Sequence, residues 1–250
     1  MRPVQVARLY HELADLWPRL SGPQDYAREA ALIDDMLTAA LGPTSAGQKR
    51  SILELGGGGG HTLCHLADRY DATNVDLSPA MLEQSRKLNP NVTHVAADMR
   101  DVRLDQKFDA VLAHDAIDYM VSRADLQAAL ATAAAHLRRG GALIVAPTYL
   151  RETFTDWQIE SDHYADDQLQ LSYVACVHRP DVHTQRFELA MLLVIRRRGQ
   201  LRIVEDRHVC GLFARDTWLE LIEAGGFDVE PDAAATDAAP WHAFVAVKRD

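Results

Sequence analysis

Cysteine is scarce in this chain: three in 250 residues, at positions 64, 176 and 210. They are odd in number and too scattered for C-x-x-C spacing, which excludes a disulfide framework and points to reduced thiols in a cytoplasmic protein. Positive charge is also in short supply, with 26 Lys and Arg against 36 Asp and Glu and a net charge of −10. Attraction to phosphate backbones draws on a basic face, so DNA and RNA are poor candidates as partners. The main exception, Arg196-Arg197-Arg198, runs into Gly199-Gln200 and is most simply the solvated turn of a hairpin. No apolar run approaches membrane-spanning length, and the charged amino terminus (Arg2, Arg8, Glu12, Asp15) has no secretory core segment, so no membrane association is expected. His163, His178, His183 and His208 match no ligand spacing, hence no metal site is expected. There is no internal repeat. About half the chain is apolar, enough for one main α/β unit with additions.

Glycine, by contrast, is concentrated. Ser51-Ile52-Leu53-Glu54-Leu55 is an apolar run that passes straight into Gly56-Gly57-Gly58-Gly59-Gly60-His61, a buried strand breaking into a tight turn. Without Cβ such a backbone takes positive φ and lies against a ligand at contact distance. A G-x-G-x-x-G register is absent, because His61, Thr62 or Leu63 falls where the last glycine must stand, and a nicotinamide or flavin dinucleotide is disfavoured. Glu54, Gly56, Gly58 and Gly60 instead satisfy acid-x-Gly-x-Gly-x-Gly.

About twenty residues beyond Gly56, Ala72 to Asp76 is a short strand ending in an acid. Ser78 caps the helix that follows and Pro79 suits its first turn, with Leu77 and Met81 beside them. Asp76 is positioned to accept two hydrogen bonds from a ribose diol, or to cap. Val92 to Asp98, Phe108 to Ala113 and Gly140 to Ala146 read as further strands, with the stripe Leu126, Ala129, Leu130, Ala133 and Leu137 between the last two. This succession predicts a doubly wound, mostly parallel, seven-stranded Rossmann-like sheet.

On these motifs the chain resembles the class I S-adenosylmethionine-dependent methyltransferases. Tyr10 to Glu29, Asp98-Met99-Arg100-Asp101, the Gly140-Gly141 turn, Arg151-Glu152-Thr153-Phe154 and Gly211-Leu212-Phe213 carry the resemblance to the small-molecule enzymes related to antibiotic-sugar N,N-dimethyltransferases. It covers most of the chain. It implies S-adenosylmethionine as cofactor, held by Tyr10, Tyr26, Glu54, Gly56, Gly58, Gly60, Asp76, Leu77, Met81, Asp98, Met99 and the His114 backbone, with Asp98 and the next N–H meeting the adenine. It also implies an N-terminal helical lid. His114-Asp115-Ala116-Ile117-Asp118-Tyr119 departs from the Ser-containing segment of the sugar enzymes, at the reacting end of the site, so an amino-sugar acceptor does not carry over.

The expected organisation is a helical lid over 1–44, with amphipathic helices Val4 to Leu20 and Gln24 to Leu41; a cofactor-binding core over 45–147; an antiparallel β insertion over 148–205 that reads substrate shape and can form a homodimer; and a return to the core sheet over 206–250. Asp228 to Pro240 reads as a surface loop.

Methyl transfer asks chiefly for alignment, which lowers a barrier by roughly 7–11 kcal/mol, against about 3–5 kcal/mol for a general base. His114 and Asp115, just after the fourth strand, are candidates for base and for its orienter or a substrate-cation anchor. Either can also have only a backbone or capping role. Tyr119 is a third catalytic candidate, or core. Trp17, Tyr119 and His208 are candidates for contact with the small-molecule acceptor. The expected function is methyl transfer to an N or O atom of a small metabolite such as a natural product. The alternatives are a cofactor-binding protein that methylates nothing, and an enzyme using the fold for another reaction such as cyclisation.

Overall fold

A computed structural model describes residues 7–45, 47–230 and 242–249. Its main sheet is assembled from β1 (Arg50–Leu55), β2 (Tyr70–Asp76), β3 (Thr93–Ala96), β4 (Phe108–His114) and β5 (Leu137–Ala146), joined by parallel pairing, with β10 (Phe227–Val229) and β11 (Phe244–Lys248) added antiparallel at one edge. The order β10-β11-β5-β4-β1-β2-β3 reverses direction between β1 and β4. An open α/β sheet receives its ligand at the carboxyl ends of the strands flanking such a reversal.

Both faces of this sheet are covered, so its central strands are apolar on both sides. Leu53, Val111 and Leu143 pack toward α5 (Arg123–His136) and α6 (Arg215–Ala224), meeting Leu126, Leu130 and Trp218. Ile52, Leu112 and Ile144 pack on the opposite face against Ile33 and Leu37 of α2 (Ala27–Leu41). Each such fully buried aliphatic side chain contributes about 1.5–3 kcal/mol. The connecting helix α4 (Pro79–Leu88) starts as its sequence dictates: Ser78 Oγ accepts from the Met81 N–H at 3.2 Å, and Pro79 occupies the first turn.

A second sheet stands over the carboxyl ends of the first. It is antiparallel, in the order β6 (Gln158–Ala165), β7 (Leu169–His178), β8 (Arg186–Arg197), β9 (Gln200–Gly211). Two features differ from the expectation. β6 is absent from the expectation because polar residues occupy both of its faces, Glu160 and Asp162 on one and Ser161 and His163 on the other, and leave no apolar alternation. The segment from Val204 does not return to the main sheet: β9 pairs with β8 through Arg186 and Gly211, so a boundary at 205 and 206 cuts a continuous strand. The tip does turn at Arg198 and Gly199, both at positive φ.

The amino-terminal segment also differs. In place of a continuous helix from Val4 to Leu20 there are short 3-10 turns at Arg8–Tyr10 and Ala14–Leu16 and the single turn α1 (Trp17–Leu20); residues 1–6 lie outside the described residues. Two causes are visible. Asp206 of β9 captures the N–H groups of Arg8 and Leu9, at 3.0 and 2.7 Å, and Pro18 has no N–H to continue a helix across Trp17. Leu9, Leu13 and Leu16 thereby pack on Leu171, Leu193 and Ile195 of the upper sheet. The second helix begins only at Ala27, after a 3-10 turn at Pro23–Tyr26. Of the loop expected over Asp228 to Pro240, Asp228 lies inside β10, and 231–240 fall outside the described residues.

Candidate active site

A cavity of about 420 Å³ opens where the glycine turn after β1, the ends of β2 and β4, the N-terminal segment and the upper sheet converge. Its floor is the turn. Gly58 has φ +49° and donates its N–H to Asp76 Oδ2 at 2.9 Å; Gly60 has φ +74°, and a Cβ there would lie 2.2 Å from Ser85 Oγ. At both positions the left-handed backbone favours glycine, and at Gly60 the close approach adds to it.

Asp76 accepts from the N–H groups of Ser78 (2.7 Å, Oδ1) and Gly58 (Oδ2), which hold its carboxylate at the cavity wall and leave a second acceptor site on each oxygen. Burial raises its pKa, partly offset by those N–H groups. Glu54 is buried, and its Oε2 has no hydrogen-bond partner among the described residues. Burial, then the charges of Asp76 and Asp115, push Glu54 up to about 8. Paired free acceptor sites for a diol, an orphaned carboxylate oxygen for an ammonium and a floor without side chains together fit S-adenosylmethionine.

Leu77, Met81 and Met99 line the same compartment. So does Asp98, but Arg100 takes both its oxygens, at 3.0 and 2.6 Å; burial raises the Asp98 pKa and these bonds bring it below the ordinary value. An adenine amino group would have to share that carboxylate.

The N-terminal segment closes the cavity with aromatic rings. Trp17 stacks on His61 at 6.2 Å, Tyr26 meets His61 edge-on at 5.3 Å, and Tyr10 packs edge-on against Trp17 and Tyr119 at 5.6 and 6.0 Å. His61 was not singled out as a site residue.

Behind Tyr10 runs a buried polar chain. Tyr119 lies 3.2 Å from the Tyr10 hydroxyl and 2.7 Å from His208 Nδ1, and His208 Nε2 lies 3.3 Å from Asp206 Oδ2. Burial raises the Asp206 pKa, but the His208 imidazole and the N–H groups of Leu9 and Arg8 outweigh it and bring the carboxyl down to about 2. Asp206 faces Nε2, and because each hydroxyl can donate or accept, the contacts form a continuous path from Tyr10 through Tyr119 to His208 Nδ1. Burial raises the pKa of both tyrosines. Asp206 escaped the sequence reading, although it precedes His208 by two on one strand, the spacing that puts both on one face.

His114 and Asp115 end β4. The His114 imidazole is buried, with Nε2 3.7 Å from Glu29 Oε2 of α2 and 3.4 Å from Asp115 Oδ1. Asp115 has φ 50° and ψ −57°, a strained conformation for a residue with a side chain, held by its N–H to the Ala146 carbonyl at 3.0 Å. Three residues on, Asp118 is buried: Oδ2 accepts the Thr148 N–H at 3.1 Å, while Oδ1 has no partner among the described residues. Burial pushes Asp118 up to about 8, against the lowering effect of Thr148. The structure thus brings Tyr10, Trp17, Tyr26, Glu54, Gly56, Gly58, Asp76, Asp98, His114, Asp115, Tyr119 and His208 around one cavity, with Asp118, Tyr149 and Phe187 added; Gly60 lies outside its lining, against Ser85 and Asn89.

Comparison with known proteins agrees on the kind of molecule that has this geometry. Residues 52–141 match the family model described as "Methyltransferase domain". The chain is 31% identical over 209 residues, 83% of its length and 85% of the relative's, to the dTDP-3-amino-3,4,6-trideoxy-alpha-D-glucopyranose N,N-dimethyltransferase of Streptomyces venezuelae. Its fold superposes on the sugar N-methyltransferase KedS8 of a Streptoalloteichus species with a TM-score of 0.83 at 27% identity, covering 95% of this chain and 93% of that one. It superposes on the SAM-bound amino pentose methyltransferase CalS10 of Micromonospora echinaspora with a TM-score of 0.75 at 25% identity, covering 89% and 91%.

Proposed function

From its membership of the S-adenosylmethionine-dependent methyltransferases related to the sugar N,N-dimethyltransferases, we infer that this chain methylates an amine nitrogen. It is an enzyme that transfers a methyl group from S-adenosylmethionine to an N or O atom of a small, natural-product-related metabolite; the choice of nitrogen is the finer reading. The relatives named above act on amino sugars, and the observation that carries the reading here is the chain Tyr10–Tyr119–His208–Asp206.

The bound cofactor supplies an electrophilic methyl carbon on a cationic sulfur. Glu54, the glycine turn and Asp76 hold it, and the aromatic rings of Tyr10, Trp17 and Tyr26 exclude water above it. Tyr10 and Tyr119, raised by burial, remain phenols at neutral pH and present no phenolate strong enough to ionise an alcohol. An amine needs none: its lone pair attacks directly, and the proton is lost after the C–N bond has formed. Tyr10 takes that proton as it hands its own to Tyr119, and Tyr119 hands its own to His208, so both tyrosines end as phenols and Asp206 stabilises the imidazolium. The base role considered for His114 falls to His208, because the His114 imidazole is turned to Glu29 and Asp115 and braces α2 against β4. Paired incubations with 3-amino-3-deoxyglucose and with glucose test the choice of atom: N-methylated product from the first alone supports it, and O-methylated glucose refutes it.

Two further assignments belong to the same reading. A second copy of the chain packs on the outer face of the upper sheet, which exposes Ile159, Val174, Leu192, Leu201 and Ile203; a monomeric mass in light scattering would refute this. The enzyme works in the cytoplasm, consistent with Cys64, Cys176 and Cys210 all being free thiols. Among the described residues no helix is long and apolar enough to cross a membrane.

A further inference from the structure

The acceptor end of the cavity has the wrong charge for a sugar carried on a diphosphate. Asp115, Asp118 and Glu160 line it, and no Lys or Arg does among the described residues. Of the arginines that adjoin a lining residue in sequence, Arg8 pairs with Glu12, Arg100 with Asp98 and Asp125, Arg207 lies 3.4 Å from Glu188, and Arg186 donates to the Val121 carbonyl. A diphosphate would enter an acidic, half-enclosed space with no donor fork to receive it.

Asp118 adds an independent observation. It lines the cavity at 5% exposure, its Oδ1 has no hydrogen-bond partner among the described residues, and its other oxygen is fixed by the Thr148 N–H. A buried acceptor of this kind is costly unless a ligand completes it. Tyr149 and Phe187, packed edge-on at 5.2 Å, also line this end and offer aromatic surface to a cation.

Resting on the N-methylation reading, we propose that the acceptor is a small unphosphorylated amine with a second, cationic nitrogen, and that Asp118 binds that ammonium. An ammonium has no lone pair, so the nitrogen held on Asp118 is distinct from the one methylated. The enzyme therefore departs from a relative whose name specifies a dTDP-linked sugar. Burial raises Asp118 to about 8, and an arriving cation favours its ionised form, so binding releases a proton when the free carboxyl is protonated.

The test uses the full chain saturated with S-adenosylhomocysteine, with 1,3-diaminopropane and inorganic pyrophosphate as probes in thermal-shift and calorimetric titrations. The diamine is expected to bind and stabilise, pyrophosphate to do neither, and Asp118→Asn to weaken the diamine at least tenfold while leaving S-adenosylhomocysteine affinity unchanged. That unchanged affinity also reports that the variant folds, since Asn still accepts the Thr148 N–H. Stabilisation by pyrophosphate, absence of diamine binding, or equal diamine affinity in Asp118→Asn each overturns the proposal. A turnover arm separates it from its premise: methylation of the amine on a dTDP-linked 3-amino sugar in preference to the free amino sugar and to 2-deoxystreptamine keeps N-methylation and overturns this inference. Methylation of hydroxyl acceptors alone overturns both.

Discussion

Tyr119, at the end of the turn after β4, shares a hydrogen bond with His208 Nδ1 across 2.7 Å and so connects two residues 89 positions apart. Neither belongs to the glycine turn, yet the pair joins the lid tyrosine on one side to a buried carboxylate on the other. On the proposed reading this connection separates two tasks of the same cavity, cofactor binding below and proton removal above.

Substituting Tyr119→Phe keeps the ring against Tyr10 and removes the hydroxyl. Turnover is expected to fall about 10–100-fold, with S-adenosylmethionine affinity within a factor of two, and Asp206→Asn to move kcat the same way. Steady-state kinetics beside calorimetry check this. An effect confined to cofactor affinity would show that the chain only supports the fold.

Asp76→Ala removes the paired acceptors offered to a ribose diol. Loss of two hydrogen bonds to a charged group corresponds to roughly 2–4 kcal/mol, or about thirty- to several-hundred-fold in Kd. Calorimetric titration with S-adenosylmethionine reads it directly, and unchanged affinity would refute the assignment.

Gly60→Ala tests the turn itself. At φ +74° the new Cβ is strained and meets Ser85 and Asn89, so a loss of about 2 kcal/mol or more is expected, lowering Tm by roughly 4–8 °C. A melting curve on the apoprotein gives the answer; Gly140→Ala, also at positive φ but with open space around it, should cost less.

Apoprotein stability should fall with rising pH between about 5 and 8. Glu54 and Asp118 both stand at about 8 in the folded chain, so in that window the native state keeps protons that the unfolded state has lost. The slope is at most ~1.4 kcal/mol per pH unit for each group. Glu54→Gln and Asp118→Asn should each flatten it. Denaturant titrations across the range decide, and a rise in stability toward pH 8 that survives both substitutions would contradict the assignment.

Local chain chemistry was enough for the parallel core and its cofactor end. The apolar runs, the glycine turn at Gly56 to Gly60, the Ser78-Pro79 cap and the acid at Asp76 are each short-range features. Backbone preference and strand periodicity act over a few residues, so such features are legible before any fold exists. The acceptor end is different. That Arg8 and Leu9 give their N–H groups to Asp206 rather than to a helix, that Asp206 reaches His208, and that Asp118 keeps one oxygen unpartnered follow only from bringing distant segments together. Burial and pairing, which decide whether a carboxyl anchors a backbone, fixes an imidazole or awaits a cation, are properties of the packed chain, and no periodicity encodes them.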